Sequence, residues 1–346
     1  WGFNWPGPDV FYTRRIGRAP QGGLPNADYT DRPNGTTILG AAKLTGKVAG
    51  TWNVGALQAV TAREHATLDT NGVRFRREVE PAGYYGVFRA QREVRNGFRA
   101  LGFMTTVANR FFDDGRLRDQ VNSQSLMTGI DGWTFLDSAR TWVVTGWAGM
   151  SHVRGNTTRI TSVQQDPRHY FQRPDADHVA VDPTATSLTG YAARVYLNKQ
   201  RGRSFSNSAI GIMSPGFDVH DVGFMSRADV INAHAGWGYA WSDPGKIRRY
   251  AEMGGALFGN WDFQGNSTWR GAYHFGFFQF LNYWGVNWSA AYNPETINNR
   301  RTRGGPLTRN PPGAQFDFGV STDSRKRLWF GVWSGTYQAR HNREWY

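Results

Sequence analysis

The sequence predicts an all-β protein, an antiparallel transmembrane β-barrel of the outer-membrane type. Three observations predict it: apolar and polar residues alternate along many segments, the connections alternate between short and long, and aromatic residues gather near the segment ends. Successive side chains of a strand point to opposite faces, so alternation at every second residue indicates a strand with one apolar face. We count about 14 such segments, each close to the roughly 9 to 11 residues that a tilted strand needs to cross a bilayer.

The connections between these segments fall into two length classes that take turns along the chain. Outer-membrane barrels combine short periplasmic turns with long external loops, whereas a soluble sandwich or propeller has no reason to sort its loops in this way. One connection, at 264–267, is shorter than its place in the series predicts. The short connections lie at 48–50, 95–97, 138–140, 199–203, 242–246, 282–284 and 322–326, and the long ones at 63–83, 109–127, 154–187, 214–226 and 293–314.

Odd and even positions of the segments separate an apolar face from a polar one. The odd positions are mostly apolar within 191–198, 251–263 and 269–281, and the even ones include charged, imidazole and amide side chains. In a barrel the apolar face contacts lipid and the polar face lines the interior. The same alternation is typical of half-buried strands in a soluble β protein, which is the alternative. The residues predicted to face the lumen are Arg89, Arg194, Glu252, Arg270 and His274.

The composition favours a barrel over a helical membrane protein. Hydrophobic residues make up 39% of the 346 residues, and the mean hydropathy is -0.57. The chain contains 15 Trp, 14 Tyr and 22 Phe, which suit the aromatic girdles of a barrel and equally suit sugar-stacking platforms or an ordinary core. The absence of cysteine excludes disulfides and thiolate chemistry.

The organisation is predicted to be one barrel domain, residues 1–346, that belongs to a larger barrel. The chain opens with Trp1-Gly2-Phe3 and lacks the basic and apolar regions of a signal peptide, which an outer-membrane protein needs. The loop parity places residues 1–35 and Tyr346 on the long-loop side, whereas complete barrels place both termini in the periplasm. We therefore expect a signal peptide and further strands beyond this sequence, and more than about 14 strands in the full barrel.

The charge predicts contact with an anionic surface or solute. The formal net charge is +13, and arginine far outnumbers lysine among the 40 basic residues. The arginines are scattered over strands and loops and form no basic helix or known nucleic-acid module, so no nucleic-acid partner is expected. A basic pore lining, or binding to lipopolysaccharide next to the lipid bilayer, explains them better.

Two long loops carry clusters of ionisable residues. The first, 166–178, contains three aspartates and two histidines, and Asp175 and Asp177 can share a hard cation such as Ca²⁺. A polar loop in which Arg168 and Arg173 pair with these carboxylates is the favoured alternative, because no known ligand spacing is matched. The second cluster is 218–221, and the two clusters can converge if both loops lie on one side of the membrane. No catalytic motif is found, so we expect no enzyme and no other cofactor.

Six blocks of the sequence carry a resemblance when they are taken together: 11–18, 37–46, 60–65, 170–178, 214–217 and 282–285. In this order they resemble the barrel part of the DUF5916 family, and the resemblance runs over essentially the whole chain. It implies a bacterial outer-membrane barrel distantly similar to that of TonB-dependent receptors, preceded in relatives by a signal peptide and a β-sandwich resembling a family 9 carbohydrate-binding module. It carries over no catalytic residues, because the family has no established activity.

Three functions remain open from the sequence. The first is an outer-membrane barrel that passes or captures a glycan or another small solute, with an arginine-lined interior and aromatic loops. The second is a non-transporting structural subunit of an envelope or surface complex. The third is a secreted glycan-active β-protein, which would need no detergent.

Overall fold

A computed structural model describes residue 3, residues 5–339 and the backbone of residues 342–345; Trp1 and Tyr346 lie outside these residues. Within them, 20 β-strands and one α-helix of nine residues form the chain, together with two 3-10 turns, Thr13–Arg15 and Gly115–Asp119. No helix in this part of the chain is long and apolar enough to cross a membrane. The strands are β1 Tyr29–Asp31, β2 Ile38–Val48, β3 Trp52–Thr61, β4 Glu64–Thr70, β5 Val73–Glu80, β6 Ala82–Val94, β7 Arg99–Phe111, β8 Gln124–Phe135, β9 Trp142–Arg154, β10 Ser187–Lys199, β11 Ser204–Met213, β12 Val230–Trp241, β13 Arg248–Trp261, β14 Ser267–Phe280, β15 Gly285–Asn293, β16 Thr296–Asn298, β17 Thr308–Asn310, β18 Gly313–Ser321, β19 Gly331–Ala339 and β20 Asn342–Trp345, and the helix is α1 Thr157–Gln165.

One antiparallel sheet of 15 strands dominates the structure. Its order is β2-β3-β6-β7-β8-β9-β10-β11-β12-β13-β14-β15-β18-β19-β20, so each strand pairs with the next long strand along the chain. Fourteen of the strands have nine residues or more, and the last, β20, has four. The all-β class and the predicted strand number are thus confirmed. The strands β2 and β20 stand at opposite ends and do not pair with each other in the described chain, so the hydrogen bonds form an open sheet. The barrel, which is predicted to include further strands, stays a prediction.

The alternation of short and long connections is confirmed. Turns of three to nine residues join β2 to β3, β6 to β7, β8 to β9, β10 to β11, β12 to β13, β14 to β15 and β18 to β19. The opposite edge carries the long connections, including 155–186 with helix α1 and 214–229 between β11 and β12. The connection 262–266 is again the short exception. Strands in a simple meander must put all these long connections on one edge of the sheet.

The long connections contain small elements of their own. Strands β1, β4 and β5 form a three-stranded sheet, and β16 pairs with β17 as a short hairpin within 294–312. Helix α1 begins at an Asn156 cap, whose side-chain oxygen accepts a hydrogen bond from the Arg159 backbone N–H at 2.9 Å. These elements lie at the same edge of the sheet and order the loops there.

The two faces of the large sheet differ in what covers them. The N-terminal segment, residue 3 and residues 5–24, crosses one face, which we call the inner face; the opposite one is the outer face. Phe3 stacks on Phe258 of β13 at 4.9 Å between ring centroids, and Phe11 and Ile16 pack against a buried cluster around Tyr85 of β6. The loop 214–229 packs over the same face, with Phe217 buried in a second cluster. The hydrophobic cores therefore lie between the inner face and the segments that cross it.

Candidate functional site

Arg194 is the central charged residue of the inner face. It belongs to β10, and only 1% of the residue is exposed. The Arg194 guanidinium lies 4.4 Å from the ring centroid of Trp5 and 4.8 Å from that of Tyr196, and Nη1 donates to Asn232 Oδ1 at 2.7 Å. Stacking between aromatic rings stabilises a buried guanidinium that has no carboxylate partner. Arg194 thus holds the N-terminal segment on the sheet.

Arg89 and Glu252 also lie on the inner face. Arg89 forms an ion pair with Asp131 of β8, and the pair passes over Gly102 of β7. Glycine is needed there, because a Cβ atom at residue 102 would collide with both side chains. Arg89 Nη2 donates to Asp131 Oδ1 at 2.7 Å. Glu252 accepts a hydrogen bond of 2.6 Å from the Tyr250 hydroxyl, two residues earlier on the same strand face. These polar groups are satisfied by neighbours on the sheet.

Arg270 and His274 lie on the outer face, not on the face predicted for them. In β14 the odd-numbered residue Tyr273 faces Phe3, with 5.8 Å between ring centroids, so the even-numbered residues point the other way. His274 Nε2 accepts a hydrogen bond from the Trp288 indole at 3.1 Å. Polarity alone predicts the wrong face for these two residues, because an aromatic residue of β14, Tyr273, packs on the inner face against the N-terminal segment. Only Arg89, Arg194 and Glu252 of the five candidates share the inner face.

The two ionisable loop clusters converge. His169 of the 155–186 loop is buried, with Nε2 3.2 Å from Asp218 Oδ2 and Nδ1 2.8 Å from the Pro215 carbonyl oxygen. Arg168 pairs with Asp166 and reaches Asp218 with 3.5 Å from Nε to Oδ2. Burial opposes ionisation, but the bond to His169 and the charge of Arg168 hold the pKa of Asp218 well below its usual range. The contact joins residues that are 49 positions apart, which spacing in the sequence does not reveal.

Asp221 connects the same loop to the sheet and to the N-terminal segment. Arg110 Nη1 of β7 lies 2.6 Å from Asp221 Oδ1, and Asn122 donates to Oδ2 at 2.6 Å. Arg18 of the N-terminal segment stands at 4.0 Å. Burial opposes ionisation here too, and the two arginines lower the pKa of Asp221. The carboxylate is therefore a buried structural partner for cations from two elements.

A second buried ion pair, Arg173 with Asp229, lies at the end of the first cluster, residues 166–178. Arg173 Nη2 donates to Asp229 Oδ2 at 2.7 Å, and His178 Nε2 lies 2.9 Å from Asp229 Oδ1. The favoured alternative to a calcium site is a loop in which Arg168 and Arg173 pair with its own carboxylates. Arg168 does pair with Asp166 of that loop, whereas Arg173 pairs with Asp229, which lies outside it. The hydrogen bond to Asp229 raises the pKa of His178. Salt bridges of this kind join the loop to the start of β12.

Asp175 and Asp177 serve different neighbours. Asp175 Oδ2 accepts a hydrogen bond from the Leu307 backbone N–H at 2.6 Å, and Asp177 Oδ2 accepts one from Gln264 Nε2 at 3.1 Å. No group of three histidine, cysteine or acidic residues in the described part of the chain is placed to hold a metal ion. A calcium ion shared by Asp175 and Asp177 stays a prediction.

A polar cavity opens at the long-loop edge of the sheet. Its volume is about 510 Å³, and it lies between the ends of β14, β15 and β19 and the β16–β17 hairpin. The cavity was missed from the sequence because its residues come from six separate elements. A tryptophan next to an arginine at 269–270, close to a loop, is the one local signal for it. Its lining includes Arg227, Trp269, Arg270, Asn298, Arg300 and Asn310.

The fold and the site define a class: an antiparallel meander sheet with an exposed apolar outer face, a covered polar inner face and ordered long loops at one edge. The chain belongs to the DUF5916 family, described as a domain of unknown function, whose model matches residues 6–346. No curated protein matches it significantly. Among solved structures, it is similar to the crystal structure of BamA from Haemophilus ducreyi lacking POTRA domains 1-3, with a TM-score of 0.34, 8% identity, and coverage of 88% of this chain and 67% of that chain.

Proposed function

We propose that this chain forms a β-barrel in the bacterial outer membrane and captures a small solute, such as a glycan, at its long-loop edge. The observation that carries the proposal is the apolar outer face. Leu257 is 67% exposed there, and residues of the same kind recur on most strands. Monomeric soluble proteins rarely expose contiguous apolar patches larger than a few hundred Å². Further exposed members of this face are Leu44, Leu101, Ile130, Met150, Val195, Ile210 and Val332.

The inner face supports the same proposal. Polar side chains such as Arg89, Arg194 and Glu252 lie on this face, and the exposed apolar side chains lie on the opposite one, as in a membrane barrel. Loops that start on distant strands also meet over this face: Asp175 bonds Leu307, and Arg300 bonds the Pro167 carbonyl oxygen. A curved sheet brings such loops together, and a closed barrel requires curvature.

Solute capture is supported by the cavity among the long loops. Its volume of about 510 Å³ falls within the roughly 300–1,000 Å³ that is usual for small-ligand sites. In an outer-membrane barrel the long loops face the exterior, where a solute arrives first. Lipopolysaccharide in the same leaflet is a further anionic partner for the basic chain.

A structural, non-transporting role is the second candidate. This role is favoured by the N-terminal segment, which covers the inner face from β14 to β6. Phe3 contacts β14, and Phe11 and Ile16 pack against the cluster that includes Tyr85 of β6. A lumen filled by its own chain passes little solute. Planar-bilayer recording separates solute passage from both of these roles, because current through the intact chain supports passage, and a silent chain supports capture or a structural role. Ligand binding then separates capture from a structural role.

Membrane fractionation tests the location. The full chain, expressed behind a bacterial export signal, should sediment with outer membranes, resist extraction at high salt and require detergent for solubility. Recovery in the aqueous periplasmic fraction as a folded monomer would refute the membrane proposal.

A further inference from the structure

The cavity at the long-loop edge has a lining rich in positive charge. Arg227, Arg270 and Arg300 belong to it, and none of the three has a carboxylate within 4.0 Å in the described chain. The Arg270 side chain points to the outer face, so Arg227 and Arg300 supply the positive charge of the cavity. The Asp229 carboxylate near Arg227 is already bonded to Arg173 and His178, and no acidic side chain belongs to the lining. Arg300 donates to the Pro167 carbonyl oxygen but has no counter-charge, so an anion from solution can pair with both cations.

Arg227 is the least solvated of the three. Its side chain makes only long contacts with the protein, 3.5 Å from Nε to the Ala228 carbonyl oxygen and 3.4 Å from Nη2 to that of Asp229. Burial, and then the charge of Arg300, lower its pKa to about 10, so it stays charged at neutral pH. Unpaired cations held close together repel each other, and an anion between them relieves this repulsion.

The remaining lining offers hydrogen bonds and aromatic surface. Asn298 and Asn310 are oriented by each other, with 3.2 Å from Nδ2 to Oδ1, and the Trp269 indole N–H donates to Asn293 Oδ1 at 2.9 Å. Trp269 keeps 38% of its surface exposed, although its ring packs edge-on against Phe258. Fixed amides suit hydroxyl groups, and an exposed indole face suits the apolar face of a sugar ring.

We propose that this cavity binds an acidic saccharide, with the carboxylate at Arg227 and Arg300 and a sugar ring against Trp269. The inference deepens the proposed solute capture and rests on it. A guanidinium forms charge-assisted, often bidentate, hydrogen bonds with a carboxylate. The amides take the hydroxyl groups, which a simple inorganic anion lacks.

Calorimetry on the full chain in detergent tests the proposal, with digalacturonate, its dimethyl ester and inorganic phosphate as probes. We expect digalacturonate to bind and the ester to bind roughly 10- to 100-fold more weakly, since a hydrogen bond to a charged group is lost. Phosphate should bind more weakly than digalacturonate. Equal affinity for the acid and its ester, equal or tighter binding of phosphate, or no binding of digalacturonate would each overturn the proposal.

The variants Arg227→Gln and Arg270→Gln locate the site. Both should weaken digalacturonate binding, and so should Trp269→Ala. Trp269 keeps 38% of its surface exposed, so its replacement tests the site even if Arg227→Gln does not fold. Arg270 points to the outer face, so Arg270→Gln should weaken binding less than Arg227→Gln does. Arg309→Gln is the matched control, because Arg309 is exposed on β17, pairs with Glu295 and does not line the cavity. Unchanged binding in Trp269→Ala, or equal loss in Arg309→Gln, contradicts the assignment.

The two proposals fail separately. If the chain fractionates with membranes but does not bind digalacturonate, the barrel proposal stands and the proposed ligand class is refuted. If the chain binds digalacturonate but is recovered from the aqueous fraction, the proposed ligand class stands and the outer-membrane location is refuted.

Discussion

The Arg194 guanidinium lies 4.4 Å from the ring centroid of Trp5, although the two residues are 189 positions apart in the sequence. This contact anchors the N-terminal segment to β10 on the inner face. Phe3 adds a stacked contact with Phe258 on β13. The segment is therefore fixed by aromatic rings at its beginning and by Arg18, near Asp221, further along.

Trp5→Ala is expected to loosen the N-terminal segment. Trp5 is partly buried, and removing its side chain with the cation contact should cost up to about 3 kcal/mol, the low end for a core aromatic residue. Limited proteolysis of the folded chain should then cut within residues 5–24 at least tenfold faster. Trp237→Ala is the control, since Trp237 is exposed on β12 away from the segment. Equal cleavage rates in the wild type and Trp5→Ala would show that other contacts hold the segment.

Asp221→Asn is expected to destabilise the fold by about 3–5 kcal/mol, because it leaves the buried Arg110 without its counter-charge. Denaturant unfolding in detergent, followed by tryptophan fluorescence, measures the free energy of unfolding. Asp243→Asn removes the exposed pair with Arg203 and should cost under about 1 kcal/mol. Equal losses in the two variants contradict a structural role for the buried pair.

The His220 imidazole is expected to make the loop 214–229 sensitive to acid. Burial, and then the charges of Arg168 and Arg15, lower its pKa to about 4 from an ordinary 6.5. Between these two values the unfolded chain binds the proton and the folded chain does not, so stability falls as pH falls from about 6.5 to about 4. Near pH 5 this amounts to about one proton taken up on unfolding.

Unfolding experiments at several pH values measure that proton uptake. His220→Asn keeps a polar, neutral side chain and should flatten the dependence within the same window. A slope that survives unchanged in His220→Asn would assign the effect to another buried histidine, such as His234, because a carboxyl group such as that of Asp218 titrates at lower pH.

Gly190→Ala is expected to displace the loop 214–229 from β10. A Cβ at Gly190 would overlap the backbone of Gly216 and Phe217, and a backbone cannot give way as a flexible side chain can. Hydrogen exchange should then rise across the loop. Gly40→Ala in β2 is the control, because nothing lies within 4 Å of its added Cβ. Unchanged protection of the loop in Gly190→Ala would contradict this close packing.

Leu257→Arg is expected to impair membrane insertion. An arginine on the lipid face of a barrel costs about 2–4 kcal/mol near the bilayer midplane and less toward the interfaces. Leu328→Arg is the control, because Leu328 is 71% exposed in the short connection between β18 and β19. Folding yields into lipid vesicles measure the difference, and equal yields would place Leu257 outside the membrane.

The sequence by itself determined the strands, their order and the two classes of connection. Period-two alternation depends on local side-chain direction, and a meander joins consecutive segments, so both features can be predicted from neighbours along the chain. Residues Arg89, Arg194 and Glu252 share the inner face for this reason, and their place in a lumen stays a prediction. Arg270 and His274 were not, because β14 carries aromatic residues on both faces and polarity alone does not say which of them is covered.

Only the tertiary structure decided what covers the inner face and which distant residues meet. The aromatic residues at 3–5 give no local sign that they stack on β10 and β13, and spacing in sequence does not show that His169 contacts Asp218. The cavity around Arg227 and Trp269 likewise forms from six elements. Long-range contacts of this kind depend on how the sheet curves and how its loops pack, and neither is encoded in the period of a single strand.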